Sequence, residues 1–149
     1  MLLATTEHAP DILPLMAAFN QAESIVWRPD AMVPALHRLL ADPALGLALV
    51  AYAGPRLVGY SLATFGYDIE FAGRDAFITE LFVESSSRGQ GLGRRLLEAT
   101  VQHLQQRNVR AVHLVVRPDN PRARSLYESH GFQASPRILM TKTFEPEES

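Results

Sequence analysis

Three glycines at alternate positions punctuate the run Ser85-Ser86-Ser87-Arg88-Gly89-Gln90-Gly91-Leu92-Gly93, which lies between an apolar stretch and an amphipathic one. Glycine lets the backbone approach a ligand closely, and free amides at the start of a helix attract phosphate oxygens. Arg88 adds a planar cationic fork suited to phosphate. The segment reads as an anion cradle; the other reading is a tight strand-to-helix turn without a ligand. No Lys-Ser or Lys-Thr follows the last glycine, as a Walker loop requires, and the alternation of Gly89, Gly91 and Gly93 fails the strict GxGxxG dinucleotide pattern. Just upstream, Glu80 stands inside the apolar run Ala76 to Val83. An ionised carboxylate is costly to bury there unless it is paired or opens on a cleft, so a raised pKa is expected. Such a group is either a general base or a structural carboxylate satisfied by its neighbours.

These residues need elements to hold them. Leu2 to Thr6 reads as a short strand, and Ile12, Leu15, Met16 and Phe19 then recur at helical spacing. A second helix opens at Pro29-Asp30 and stops at Asp42-Pro43, with Trp27 in the connection. Leu45 to Ala53 and Leu57 to Phe65 form a hairpin around Gly54-Pro55-Arg56. Ala76 to Val83 is apolar on both alternating faces, with Ile78 and Phe82 on one and Phe77, Leu81 and Val83 on the other, as in a central strand. A helix from Gly91 turns Leu92, Leu96, Leu97, Val101 and Leu104 inward, and Val109 to Val116 is a further buried-type strand. Asn120 caps a helix that begins with Pro121 and is closed by Gly131, and Ile138 to Phe144 reads as a closing strand. The order β-α-α-β-β-β-α-β-α-β describes an α/β chain with a mixed, mostly antiparallel sheet flanked by helices. One domain over residues 1–149 is expected, with a loose acidic tail at 145–149.

The stretch Leu81-Phe82-Val83, then Arg88-Gly89-Gln90-Gly91-Leu92-Gly93, then Arg94-Arg95-Leu96-Leu97, resembles the acetyl-CoA motif Q/R-x-x-G-x-G/A of GNAT N-acetyltransferases. Asn120, Ala123, Leu126-Tyr127 and Gly131-Phe132 resemble the second signature of that family, N-x-x-A-x-x-L-Y-x-x-x-G-F. The resemblance implies a single-domain GNAT-like fold and acetyl transfer from acetyl-CoA to an amine. It implies that Arg88 to Arg94 hold the pyrophosphate, and that the backbone of Leu81, Phe82 and Val83 holds the pantetheine arm like an added strand. A backbone amide there would polarise the acetyl carbonyl. Asn120 is implied as a pantetheine contact, a role compatible with capping its helix. Tyr127, on a face shared with Ala123, Leu126 and His130 and so expected to point inward, is implied as the acid that protonates the departing sulfur. Glu80 takes the place of the acidic residue common in this strand, as base for an ammonium whose pKa is about 10.4 in water.

By the same resemblance the acceptor pocket draws on the first two helices and the end of the third strand. Those regions offer Trp27, Tyr67, Asp68 and Glu70, aromatic faces beside carboxylates that suit a cationic amine, as in di- and polyamine acetyltransferases. The same residues also describe an ordinary acidic surface loop. A protein or peptide amine as acceptor, and a non-catalytic acyl-CoA sensor, are the alternatives; a sensor would need neither Glu80 nor Tyr127.

Composition narrows the rest. At 149 residues with 47% apolar and 20% charged content, the chain has the make-up of a globular domain. A net charge of -2 gives no reason to expect nucleic acid or an anionic membrane as a partner. With no cysteine there is no disulfide and no acetyl-cysteine intermediate, and no Ser-His arrangement supports Ser85, Ser86 or Ser87 as a nucleophile, so direct transfer is expected. The five histidines lie far apart, without a two-histidine helical spacing, and no metal is expected. Residues 1–16 lack the basic start and unbroken apolar stretch of a signal peptide, and the cytoplasm is the default compartment. Monomer and homodimer both stay open.

Overall fold

The computed structural model describes residues 1–145 and divides into two compact units, Met1–Val115 and the chain from Val116 onward. The first unit holds a five-stranded sheet in the order β1 (Leu2–Leu3), β2 (Gly46–Ala53), β3 (Arg56–Asp68), β4 (Gly73–Val83) and β5 (Ala111–Leu114). Neighbours pair antiparallel except β4 and β5, which are parallel. Parallel neighbours need a crossover, which α3 (Leu92–Gln105) supplies. The α/β class with a mixed, mostly antiparallel sheet is therefore as the sequence indicates.

Helices α1 (Ala9–Ala22) and α2 (Pro29–Ala41) cover one sheet face, where Ile12, Leu15, Met16 and Leu36 pack with Val50, Tyr60, Leu62 and Phe82. The residues of the opposite parity, such as Leu49, Ser61 and Ala63, are equally buried and serve the face under α3, where the Ser61 hydroxyl pairs with Thr100 at 2.7 Å. Strands covered on both sides read as continuous apolar runs, which is why β2 and β3 do.

A bulge changes which residues share a face. Leu62 pairs with Glu80, but Ala63 pairs with Ile78, so Thr79 is the extra residue in β4. One inserted residue reverses the alternation beyond it. Glu80 and Phe82 thus join Tyr60 and Leu62 under α1, while Ile78 turns to the α3 face. This corrects the expected grouping of Ile78 with Phe82, which assumed an unbroken period of two.

The first strand is shorter than the expected Leu2 to Thr6, because a 3-10 turn at Thr6–His8 leads directly into α1. β5 covers four residues of the expected Val109 to Val116. In the second unit α4 (Pro121–Ser129) forms with Asn120 as its cap, but the closing strand expected over Ile138 to Phe144 does not. Ile138, Leu139, Met140 and Phe144 are all more than two-thirds exposed. The run has strand composition, yet no described strand pairs with it, and a strand exists only through its pairing. The expected loose tail falls on residues 146–149, outside the described residues, apart from Glu145.

Candidate functional site

β4 carries Glu80, Leu81, Phe82 and Val83, four of the residues expected at the site. β5 pairs with it only over Asp75–Ile78, so the five residues from Thr79 to Val83 have no described strand on that side. Within this stretch the peptide groups alternate in direction. Glu84 donates to the Val58 carbonyl on β3, which turns the groups of Phe82 toward β3 as well and those of Leu81 and Val83 toward the open edge. The Val83 carbonyl is taken by Arg88, whose Nε donates to it at 2.9 Å while the guanidinium lies 5.4 Å from the centre of the Phe82 ring. Arg88 also lines a cleft of about 410 Å³ with Phe82, Glu84 and Ser85 on one wall and Leu15, Ala18, Gln21 and Ala22 of α1 on the other.

The glycine segment follows a 3-10 turn at Ser85–Ser87. Gly89 and Gly91 adopt φ of +82° and +75°, a left-handed conformation that costs other residues strain, and Gly91 is the N-cap of α3. No side chain caps that helix, and its first internal bond runs from Arg95 to the Gly91 carbonyl. The amides of Leu92, Gly93 and Arg94 therefore point out of the helix start unused by it, where the dipole favours an anion. A Cβ at Gly89, Gly91 or Gly93 would meet nothing within 4 Å. The space in front of these amides is open, with Gln90 and Arg94 exposed around it.

Glu80 is half-buried, and its Oε1 accepts a 2.7 Å hydrogen bond from the Tyr60 hydroxyl. Burial raises the Glu80 carboxyl above the usual carboxylate range, and the Tyr60 bond pulls the other way without cancelling it. Tyr60 itself is fully buried, and burial, the charge of Glu80 and their shared hydrogen bond hold its phenol far above its ordinary value. It therefore stays a donor. Nothing in the apolar stretch Leu57 to Phe65 marks Tyr60 as other than core, and only the register of β3 against β4 brings it to Glu80.

Of the residues expected at the acceptor pocket, Trp27 packs partly buried against the core below α1 and α2. Tyr67 is 75% exposed and has the opposite strand parity from Asp68, so the two do not share a face. Glu70 donates its amide to the Asp68 carboxylate at 2.9 Å in the β3–β4 turn. Asp68 instead comes together with Asp75 and His113, their ligand atoms all within 4.8 Å of one another. His113 Nε2 lies 3.1 Å from Asp75 Oδ2, and the rings of Phe71 and Phe77 flank the imidazole at 5.5 and 6.3 Å. Gly66 makes room for the pair, since a Cβ there would stand 2.6 Å from Asp75 Oδ1. Asp75, Phe77 and Glu80 lie on one side of β4, with the bulge between the last two. Asp75 and His113 belong to no motif and lie 38 residues apart.

In the second unit the Asn120 side chain accepts from the Ala123 amide at 3.2 Å, the capping role its position implies. Tyr127 is half-buried, with its ring 6.0 Å from that of Phe132 in an edge-on arrangement. Its face of α4 is thus less enclosed than a core position.

The sequence matches the family model described as "Acetyltransferase (GNAT) family" over residues 12–132. It is 31% identical over 80 residues to thialysine N-epsilon-acetyltransferase of Bos taurus, covering 54% of this chain and 46% of that protein. It is 36% identical over 84 residues to the [ribosomal protein bS18]-alanine N-acetyltransferase of Escherichia coli (strain K12), covering 53% of this chain and 57% of the relative. The matches thus span about half the length of these curated relatives. An integron cassette protein from the mobile metagenome of Cole Harbour Salt Marsh superposes with a TM-score of 0.85 at 29% identity, over 97% of this chain and 90% of its own. Among the described residues no helix is long and apolar enough to cross a membrane.

Proposed function

Because the chain belongs to the acetyltransferase (GNAT) family, we propose that it transfers an acetyl group from acetyl-CoA directly to the primary amine of a small cationic molecule. The observation that carries this reading is the uncapped start of α3, three free amides behind left-handed Gly91, in front of open space. The cradle takes the CoA pyrophosphate, and the open edge of β4 offers the Leu81 peptide groups to the pantetheine amides as an added strand would. Glu80 accepts the proton of the acceptor ammonium, directly or through water, and the neutral amine attacks the thioester carbonyl. The tetrahedral intermediate collapses with loss of the CoA thiolate, which Tyr127 protonates; the second ammonium proton passes from the new amide nitrogen to water, and the Tyr127 hydroxyl regains its proton from water.

Tyr127→Phe keeps the ring and removes the hydroxyl. A thiol with pKa near 8.5 leaves readily, so its acid contributes at the low end of the usual range. Turnover is expected to fall about 10 to 100-fold with acetyl-CoA affinity nearly intact. Undiminished turnover, under conditions where chemistry limits the rate, would remove Tyr127 from the mechanism.

The acceptor class rests on Asp68, Asp75 and His113, which lie on the approach along β4 to Glu80 beside the faces of Phe71 and Phe77. Carboxylates next to aromatic rings suit a second ammonium of the acceptor. One relative is named for thialysine and another for the alanine of a ribosomal protein. The deciding experiment is a screen of diamines, amino acids, aminoglycosides and alanine-initiated peptides with acetyl-CoA, read by release of free CoA. Diamines are expected to lead; a peptide that outpaces them would transfer the reading to protein acetylation, and no release with any amine would favour a sensor. Asp75→Asn is expected to raise KM for the leading diamine about tenfold while changing KM for a monoamine little, as loss of one partly exposed charge contact predicts. Equal effects on both amines would detach Asp75 from acceptor binding.

A further inference from the structure

We infer that Tyr60 is the positioning residue for Glu80: its buried hydroxyl fixes Oε1, leaving Oε2 alone to take the proton of the acceptor amine or of a water before it. This rests on the reading of Glu80 as base. Three features of the molecule carry the inference. The hydroxyl sits 2.7 Å from Oε1, whereas Oε2 has no hydrogen-bond partner among the described residues. Tyr60 is fully buried among Leu15, Met16, Leu62 and Phe82, so its phenol has no freedom to leave that contact for water. The register Tyr60↔Phe82 and Leu62↔Glu80 runs unbroken and puts Glu80 on the face of Tyr60, with the Thr79 bulge falling beyond it, between Glu80 and Ile78.

Few other groups compete for the carboxylate. From α1 the inward side chains Ile12, Leu15, Met16 and Asn20 bring no charge. Just after β4, Glu84 is ion-paired with Arg56 at 2.6 Å, and on β5 His113 is engaged by Asp75. Arg88 spends its Nε on the Val83 carbonyl. Tyr60 is thus the titratable group that faces Glu80 within hydrogen-bond reach, and because burial keeps it protonated it acts as a fixed donor that never itself exchanges a proton in the working range. A donor aimed at the charged form opposes the desolvation of that form. The geometry therefore does two things at once: it fixes one oxygen and moderates how far burial can lift the base.

Tyr60→Phe tests this, since phenylalanine preserves the ring in the core. The acidic limb of kcat/KM is expected to move about one pH unit toward alkaline, and the carboxyl carbon of Glu80, followed by NMR in 13C-labelled enzyme without substrate and assigned by its loss in Glu80→Gln, is expected to titrate later by the same amount. In the Glu80→Gln background the added Tyr60→Phe change should leave kcat/KM where it was, because a residue that acts only through Glu80 has nothing left to position. A lower melting temperature with limb and NMR titration unmoved overturns the inference and leaves Glu80 as base. Multiplying losses in the double variant overturn it too. Wild-type turnover in Glu80→Gln alone overturns the base reading and the positioning with it.

Discussion

Glu80→Gln is expected to lower kcat/KM for the acceptor amine by about 10² to 10⁴-fold, the contribution of one positioned base, while acetyl-CoA affinity stays close to that of the parent enzyme. The substitution keeps the shape of the side chain, and its amide oxygen can still accept the Tyr60 hydroxyl, so binding and chemistry should separate. Burial raises the Glu80 carboxyl, so with Glu80 as the base activity is expected to fall on acidification through a value above the ordinary carboxylate one. The glutamine variant should lack that limb. The same shift fixes the sign for stability. A carboxyl whose folded pKa lies above its unfolded one favours the fold while protonated, and that contribution is lost as pH rises from the unfolded pKa through the folded one. Near neutrality the ionised Glu80 therefore works against the fold, and Glu80→Gln is expected to hold or raise the melting temperature there. A carboxylate kept for structure gives the reverse: a lower melting temperature, with turnover per folded molecule and its pH profile unchanged.

What could be read from the sequence, and what could not, follows from whether the cause was local. The glycine segment was legible because positive φ at Gly89 and Gly91 and the start of α3 are set by adjacent residues. The Asn120 cap was legible for the same reason, its acceptor bond to Ala123 spanning three residues. The break in β4 was not: no pattern of apolar positions in Ala76 to Val83 announces the inserted Thr79, so the assumed alternation kept Glu80 with Phe82, as found, but wrongly kept Ile78 with them. The neighbours that give the site its character are non-local as well. Tyr60 reaches Glu80 across twenty residues, and Asp75 reaches His113 across a whole helix crossover. Composition failed in the other direction at Ile138 to Phe144, where strand-forming residues form no described strand.

Gly93→Leu is expected to weaken acetyl-CoA binding about a thousandfold while leaving the fold as stable or slightly more so. The choice of glycine matters. Gly89 and Gly91 hold left-handed φ, so any side chain there adds backbone strain, and a loss of binding in Gly91→Val would mix a distorted turn with an obstructed one. Gly93 is the second residue of α3, without a positive φ, and an added Cβ meets nothing within 4 Å. Leucine is a good helix former, and removing glycine from a helix stabilises it by roughly 0.5 to 1 kcal/mol. In the unliganded protein the substitution is therefore benign. In the complex the side chain would stand where the pyrophosphate approaches the amides of Leu92, Gly93 and Arg94. Hydrogen bonds to a charged acceptor contribute about 1.5 to 3 kcal/mol each, so losing two of them accounts for about 4 kcal/mol, or the thousandfold. Gly93→Ala, the other residue the motif accepts, should bind nearly as the parent does. Calorimetry with acetyl-CoA beside thermal melts of both variants decides the matter: unimpaired affinity in a well-folded Gly93→Leu protein would leave the start of α3 without its phosphate.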